Sequence, residues 1–235
     1  MKKFFRQVLT AIFIVACVLS AVGCSKEPES AEDYLNRGND YYDQQQYERA
    51  IDDFNQAIQL NPNYAMAYTN RGVAYAQGLQ QYELAIQDFS KAITIDPNDA
   101  PAYTNRGNAY KNLKQYERAI QDYDKAIDLN PNDADAYYNR GTSYSDLKQY
   151  ERAIQDFTKA IDLNPNYAVA YNNRGVAYKD LKQYERAIQD YDKAIDLNPK
   201  LAVPYYNRGF AYQALGNTTS AQADFARAKE LGYNG

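Results

Sequence analysis

The sequence predicts an all-α solenoid built from six helix-turn-helix hairpins, and three observations support this fold class. The triplet Asn-Arg-Gly occurs six times, with its glycines 34, 35, 34, 34 and 34 residues apart. Two stretches of 19 residues, 113–131 and 181–199, are identical. Each period holds two amphipathic segments joined by a short polar turn. Repetition of a helix pair at this period is typical of a solenoid, in which each repeat packs on its neighbours.

The first helix of each repeat is marked by a Tyr-Gly-Tyr stripe. In repeat one, Tyr34, Gly38 and Tyr41 stand at i, i+4 and i+7, which places them on one helix face. A glycine inside a helix costs up to about 1 kcal/mol relative to alanine. Six such glycines therefore predict that the partner helix approaches closely at this position.

The second helix carries an alanine-aromatic-alanine stripe at the same spacing, as at Ala50, Phe54 and Ala57. A short turn between the two helices predicts that they are antiparallel. A proline then ends each of the first five repeats, because proline disfavours helical backbone in the residue before it. We expect the one extra residue of repeat two, placed at Gly78, to lengthen the turn. The predicted repeats are 31–64, 65–99, 100–133, 134–167, 168–201 and 202–235.

These stripes resemble the signature of the tetratricopeptide repeat, over the whole of residues 31–235. Tyrosine stands where this family often has tryptophan, and Arg37 and its counterparts stand where it often has leucine. The resemblance implies a right-handed superhelical solenoid whose first helices form an inner face. It also implies that an extended peptide binds on that face, and in some members a row of asparagines holds the peptide main chain.

A cation and an acid recur beside the buried stripes. At about 100° per residue, the arginine of each triplet lies at the border of the first-helix stripe, and an aspartate flanks the second-helix stripe. We expect bidentate ion pairs within a repeat or across a junction. An arginine row that binds an anionic ligand is the alternative. The predicted pairs are Arg37–Asp53, Arg71–Asp88, Arg106–Asp122, Arg140–Asp156, Arg174–Asp190 and Arg208–Asp224.

The asparagine of each triplet lies opposite the buried stripe on a helical wheel, so we expect it to be exposed. One interpretation is a solvated residue that was copied by duplication. The other is a peptide-binding row, because a primary amide donates and accepts at once and so matches one peptide unit. The row is Asn36, Asn70, Asn105, Asn139, Asn173 and Asn207.

The pattern of variation among the repeats favours a ligand. The second helices of repeats three to five barely differ, whereas inner positions of the first helices do. Tyr138, Tyr206 and Phe210 are the predicted apolar anchors for such a ligand.

Residues 1–23 have the features of an export signal. Three bases precede an apolar run (8–19) that is short for a membrane span. The following Ser-Ala-Val-Gly-Cys resembles the lipobox of bacterial lipoproteins, which implies cleavage after Gly23, lipid on Cys24 and a short linker over 24–30. Ordinary secretory cleavage and an uncleaved anchor are the alternatives. The expected location is the cell envelope, on the outer or cytoplasmic membrane, facing the periplasm or the exterior.

Composition disfavours several function classes. The chain has 26 bases against 30 acids, and three of the bases lie in the signal, so the body lacks the basic face that nucleic-acid binding needs. There is no histidine, and the two cysteines are Cys17 and Cys24, so the usual nucleophile–base pairs and zinc sites lack their members. We expect no catalytic residues, cofactor or metal, and a protein or peptide partner. A structural module that associates with its own copies, as a homo-oligomer, is the alternative.

Overall fold

The computed structural model describes residues 30–233, and this part of the chain contains twelve helices paired into six hairpins. The predicted all-α solenoid of helical hairpins is confirmed. Odd-numbered helices are the first, and even-numbered helices the second, of each hairpin. The helices are α1 Ala31–Asp43, α2 Tyr47–Leu60, α3 Ala65–Val73, α4 Tyr82–Ile95, α5 Ala100–Asn112, α6 Tyr116–Leu129, α7 Ala134–Asp146, α8 Tyr150–Leu163, α9 Ala168–Asp180, α10 Tyr184–Leu197, α11 Ala202–Ala214 and α12 Thr218–Glu230.

The helix ends follow from local sequence. Asp99 and Asp133 cap α5 and α7, accepting hydrogen bonds from the backbone N–H groups of Ala102 and Ala136. The second helices of the first five hairpins each end two residues before a proline, and the residue between, such as Asn61 at φ −134°, is non-helical. The predicted role of the prolines is therefore confirmed.

The extra residue of repeat two lies in the first helix of the hairpin rather than in the turn. Helix α3 continues as a π-helix over Ala74–Gly78, and the turn 79–81 keeps the three residues found in the other hairpins. The expectation of a longer turn is wrong, because a π-helix takes up one residue by bonding i to i+5. A Cβ at Gly78 would overlap the ring of Tyr47 from the preceding hairpin, so this position requires glycine.

The glycines of the triplets pack as the sequence predicts. A Cβ at Gly38 would lie 2.6 Å from Cε1 of Phe54, and one at Gly107 would lie 2.7 Å from Cε1 of Tyr123. Real side chains do not approach this closely, so the aromatic ring of each second helix rests on the bare backbone of the first helix. The close contact between the two helices compensates for the low helix propensity of glycine.

Successive first helices lie side by side and are joined by side-chain hydrogen bonds, such as that from Asn207 Nδ2 to Asn172 Oδ1. They form a continuous surface, called here the first-helix face. Within residues 30–233, none of the helices combines the length and the apolar character that a membrane span needs.

Candidate functional site

The arginine and aspartate of each hairpin form a bidentate ion pair. Arg106 donates from Nε and Nη2 to Oδ2 and Oδ1 of Asp122, at 2.8 and 2.7 Å. Each of the six aspartates is only 5–6% exposed. The same geometry occurs in Arg37–Asp53, Arg71–Asp88, Arg140–Asp156, Arg174–Asp190 and Arg208–Asp224.

Five of the arginines also cross to the preceding hairpin. Arg106 Nη1 donates to Ser90 Oγ at 3.0 Å, and Arg140 Nη1 donates to Asp124 Oδ1 at 2.6 Å. Each of these arginines therefore joins three helices, so the pairing operates both within a repeat and across a junction. The acceptors on the preceding second helices are Asn55, Ser90, Asp124, Thr158 and Asp192.

In each of these five arginines the contacts use three of the five guanidinium N–H donors, including the Nε and Nη2 pair that binds a carboxylate side-on. Burial acts against the charge of Arg140, but its hydrogen bonds to Asp156 and Asp124 outweigh burial and raise its pKa. The guanidinium also lies 5.5 Å from the ring centre of Tyr137, close enough for a cation–π contact. The geometry favours a structural role for the arginine row over the ligand-binding alternative.

The asparagine row lies where successive first helices meet. Asn36 is exposed, but the other five are half-buried, so the expectation of exposure is wrong for those five. Each faces the first helix of the preceding hairpin. A helical wheel describes one helix alone, so it does not show this neighbouring helix. Asn70 Nδ2, for example, donates to Asn39 Oδ1 at 2.7 Å.

Several amides of the row keep free hydrogen-bonding groups. Asn173 donates to the hydroxyl of Tyr138 at 3.0 Å, and Asn139 accepts from Lys111 Nζ at 2.9 Å. Asn105 forms no side-chain hydrogen bond with any residue in 30–233. Four amides of the row, those of Asn70, Asn139, Asn173 and Asn207, are thus oriented by a neighbouring side chain, and the Asn105 amide is free both to donate and to accept.

The three predicted apolar anchors differ in exposure. Tyr138 is half-buried, with its ring centre 5.0 Å from that of Tyr167. Tyr206 is also half-buried and packs against Tyr233 at 4.3 Å. Phe210 is 42% exposed, so it presents the largest free apolar surface of the three.

A cavity of about 390 Å³ opens between the first helices of repeats two, three and four. The sequence did not predict this cavity. Its one signal there is the extra residue at Gly78, because the π-helix that accommodates this residue forms part of the cavity wall. Burial lowers the pKa of Lys111 in this cavity, and the charge of Asp146 partly opposes that effect. Side chains that line the cavity include Ala76, Gln77, Asn105, Asn108, Lys111 and Asn139.

The sequence also predicts a lipid anchor and no metal site. Cys24 and the signal that precedes it lie outside the described residues. Within 30–233, no group of three or more histidine, cysteine, aspartate or glutamate side chains has the arrangement of a metal site.

Family models match most of the repeat region. A model described as a tetratricopeptide repeat matches residues 100–133, 134–167 and 168–201. A second model of that description matches 190–223, and a TPR repeat model matches 38–78 and 79–114.

Individual known proteins are similar over parts of the chain. Human serine/threonine-protein phosphatase 5 is 47% identical over 45 residues, which are 19% of this chain and 9% of that protein, so the chain spans only about a tenth of such a relative. The crystal structure of YrrB, described as a TPR protein with an unusual peptide-binding site, is 25% identical with a TM-score of 0.64, over 76% of this chain and 92% of YrrB. Pseudomonas aeruginosa pilF is 22% identical with a TM-score of 0.76, over 88% of this chain and 94% of pilF, which shows a shared fold.

Proposed function

Because the chain belongs to the tetratricopeptide repeat family, we propose that it is a non-enzymatic scaffold that binds an extended protein segment along its first-helix face. The observation that carries this proposal is the row of oriented amides on that face. Asn105 has both of its amide groups free, and Asn139 and Asn173 are held in place by Lys111 and Tyr138. Amides that are already oriented lose little freedom when they bind a peptide main chain.

The comparison with YrrB supports a peptide ligand. That protein is described as having a peptide-binding site, and it covers most of the present chain at 25% identity. The arginines are engaged in ion pairs, whereas the asparagines and the polar side chains of the cavity beside them are available to a ligand on this face.

We also propose that the scaffold is anchored in the bacterial cell envelope by lipid on Cys24. The basic start, the short apolar run and the Ser-Ala-Val-Gly-Cys sequence support this location. The six residues 25–30 reach at most about 20 Å when extended, so the helices would lie close to the membrane. Metabolic labelling with a palmitate analogue tests the anchor: the parent is expected to be labelled and to fractionate with membranes, and Cys24→Ser to lose both properties.

Peptide selection tests the binding function. Residues 25–235, which contain every described helix, are immobilised and exposed to a random-peptide phage library. Binding of a selected peptide is then measured by fluorescence anisotropy for the parent and for Asn105→Ala/Asn139→Ala/Asn173→Ala. Losing about 1 kcal/mol for each amide hydrogen bond weakens binding by about 100-fold.

The control replaces three exposed glutamates on the second helices of the same repeats: Glu117→Ala/Glu151→Ala/Glu185→Ala. This variant is expected to bind as the parent does. Equal binding by the parent and the asparagine variant contradicts the role proposed for the row.

Self-association is the second candidate, and the exposed apolar side chains of the last described hairpin favour it. Phe210 is 42% exposed at the place that Asn39 has in repeat one, where Asn39 accepts a hydrogen bond from Asn70. Leu215 of the same hairpin is 44% exposed. Multi-angle light scattering of residues 25–235 separates the two candidates, since a monomer at all concentrations removes this one.

A further inference from the structure

The cavity on the first-helix face depends on a feature that only repeat two has. Its first helix carries one extra residue, which is accommodated in the π-helix Ala74–Gly78. Ala76 and Gln77 of this π-helix form one wall, and Asn105 and Asn108 of α5 form the wall opposite. π-Helical turns of this kind are frequent at functional sites in proteins. The other hairpins keep a regular α-helix at this position.

Lys111 is a half-buried cation in this cavity, and within residues 30–233 no carboxylate lies at ion-pair distance from its Nζ, although the charge of Asp146 on α7 acts on it from farther away. Its one hydrogen bond runs from Nζ to Asn139 Oδ1, which leaves two ammonium hydrogens available. Buried lysines in proteins are ordinarily paired with an acid. Lys179 holds the same place in repeat five, and there Asp180 pairs with it at 3.4 Å.

We propose that this cavity receives an acidic side chain, aspartate or glutamate, from the extended segment that binds the first-helix face. The proposal rests on the peptide-binding function proposed above. Lys111 supplies the counter-charge, and the free amide of Asn105 donates a second hydrogen bond to the carboxylate. A volume of about 390 Å³ is ample for a carboxylate side chain.

Such a site gives the binding face a register. Amides that hold a peptide main chain do not distinguish its side chains, so the asparagine row alone allows the segment to slide by whole residues. A charge-assisted hydrogen bond is stronger than a neutral one. One acidic residue seated at Lys111 therefore fixes which part of the segment lies over each repeat.

The test uses peptides selected from the random-peptide phage library on residues 25–235. We expect them to share an aspartate or glutamate at one position. A synthetic peptide in which that residue is replaced by asparagine or glutamine is expected to bind the parent protein about tenfold more weakly. The Lys111→Gln variant is expected to bind the acidic peptide and the amide peptide equally. The matched control is Lys179→Gln, which should retain the parent's preference for the acid. Circular dichroism establishes that all variants keep the parent's helix content.

The outcomes separate this inference from the function on which it rests. Peptides that bind through the asparagines but show no preference for an acid overturn the inference alone. A preference for the acid that persists in Lys111→Gln also overturns it. A library that yields no binding peptide overturns the proposed function, and the inference with it.

Discussion

Repeats three and five have the same second helix in different surroundings. Residues 113–131 and 181–199 are identical, and helices α6 and α10 bury the same five positions. The ring of Tyr123 rests on Gly107, and that of Tyr191 rests on Gly175, each with Cε1 2.7 Å from the place of a Cβ. What differs between the two hairpins therefore comes from their first helices.

The buried tyrosines show the first difference. Tyr123 donates its hydroxyl hydrogen to Asn108 Oδ1 at 2.7 Å. Tyr191 is equally buried, but Val176 stands in place of Asn108, and its hydroxyl has no hydrogen-bond partner in the described structure. Burial raises the pKa of both tyrosines, so both hydroxyls stay protonated at neutral pH.

The lysines show the second difference. Lys111 faces the cavity and bonds to an asparagine, whereas Lys179 pairs with Asp180. An invariant second helix thus provides the packing, while substitutions in the first helix decide which polar groups remain free. We therefore expect the ligand specificity of this chain to depend on its first helices.

The ion pairs should be equivalent in the two repeats, and breaking them should have the largest effect. Asp122→Ala and Asp190→Ala each leave a half-buried arginine without its carboxylate, at a cost of about 3–5 kcal/mol for a buried pair. We expect both variants to unfold at much lower urea concentration than the parent, by similar amounts. A large difference between them contradicts the equivalence of the two second helices, and an unchanged midpoint contradicts the structural role of the pairs.

Asn108→Val should make repeat three resemble repeat five. It leaves the Tyr123 hydroxyl buried without a partner, which costs about 1–2 kcal/mol. In a Tyr123→Phe background the same change should cost much less, because no hydroxyl remains to be satisfied. Urea unfolding of the four proteins gives the coupling between the two residues. A coupling near zero contradicts the contribution assigned to this hydrogen bond.

Sequence patterns predicted those parts of the structure that depend on a single helix or hairpin. Two periods are visible in the sequence itself, the helical period of 3.6 residues and the repeat period of 34 residues. They predict the positions of Gly38 and its counterparts, the prolines that follow the second helices, and the spacing of the Arg–Asp pairs. The half-burial of Asn70 depends instead on how one first helix lies against the preceding one, and a wheel for one helix contains no such information.

The sequence shows that repeat two has one extra residue, but it predicts this residue in the turn rather than in the first helix. One extra residue fits either a longer turn or a π-helix, and local composition does not separate these solutions. In the structure the extra residue lies in the π-helix, where Gly78 packs against the ring of Tyr47 from the preceding hairpin. Ala76 and Gln77 of the π-helix form part of the cavity wall, so the cavity could not be predicted without this placement.

Replacing each tyrosine by phenylalanine should have opposite effects in the two repeats. Tyr191→Phe removes a buried hydroxyl that has no partner, so we expect it to stabilise the protein by about 1 kcal/mol. Tyr123→Phe removes a hydrogen bond and is expected to destabilise the protein by about 1 kcal/mol. The midpoint of urea unfolding measures both. Changes of the same sign would contradict the different surroundings described for the two hydroxyls.

Replacing the two lysines should change the free energy of unfolding least, and the change at Lys111 should depend on pH. Burial lowers the pKa of Lys111 in the folded protein, so its charged form opposes folding. That penalty is fully present below the folded-state pKa and disappears as pH rises past the higher pKa of the unfolded chain, about 10.4. Lys111→Met should therefore stabilise the protein by about 0.5 kcal/mol at pH 7, and this gain should vanish above about pH 10.5.

Lys179→Met loses the ion pair with Asp180 and should show no gain at pH 7. A gain from Lys111→Met that is the same at pH 7 and above pH 10.5 would indicate improved packing rather than relief of a buried charge, and would remove the electrostatic distinction between the two repeats.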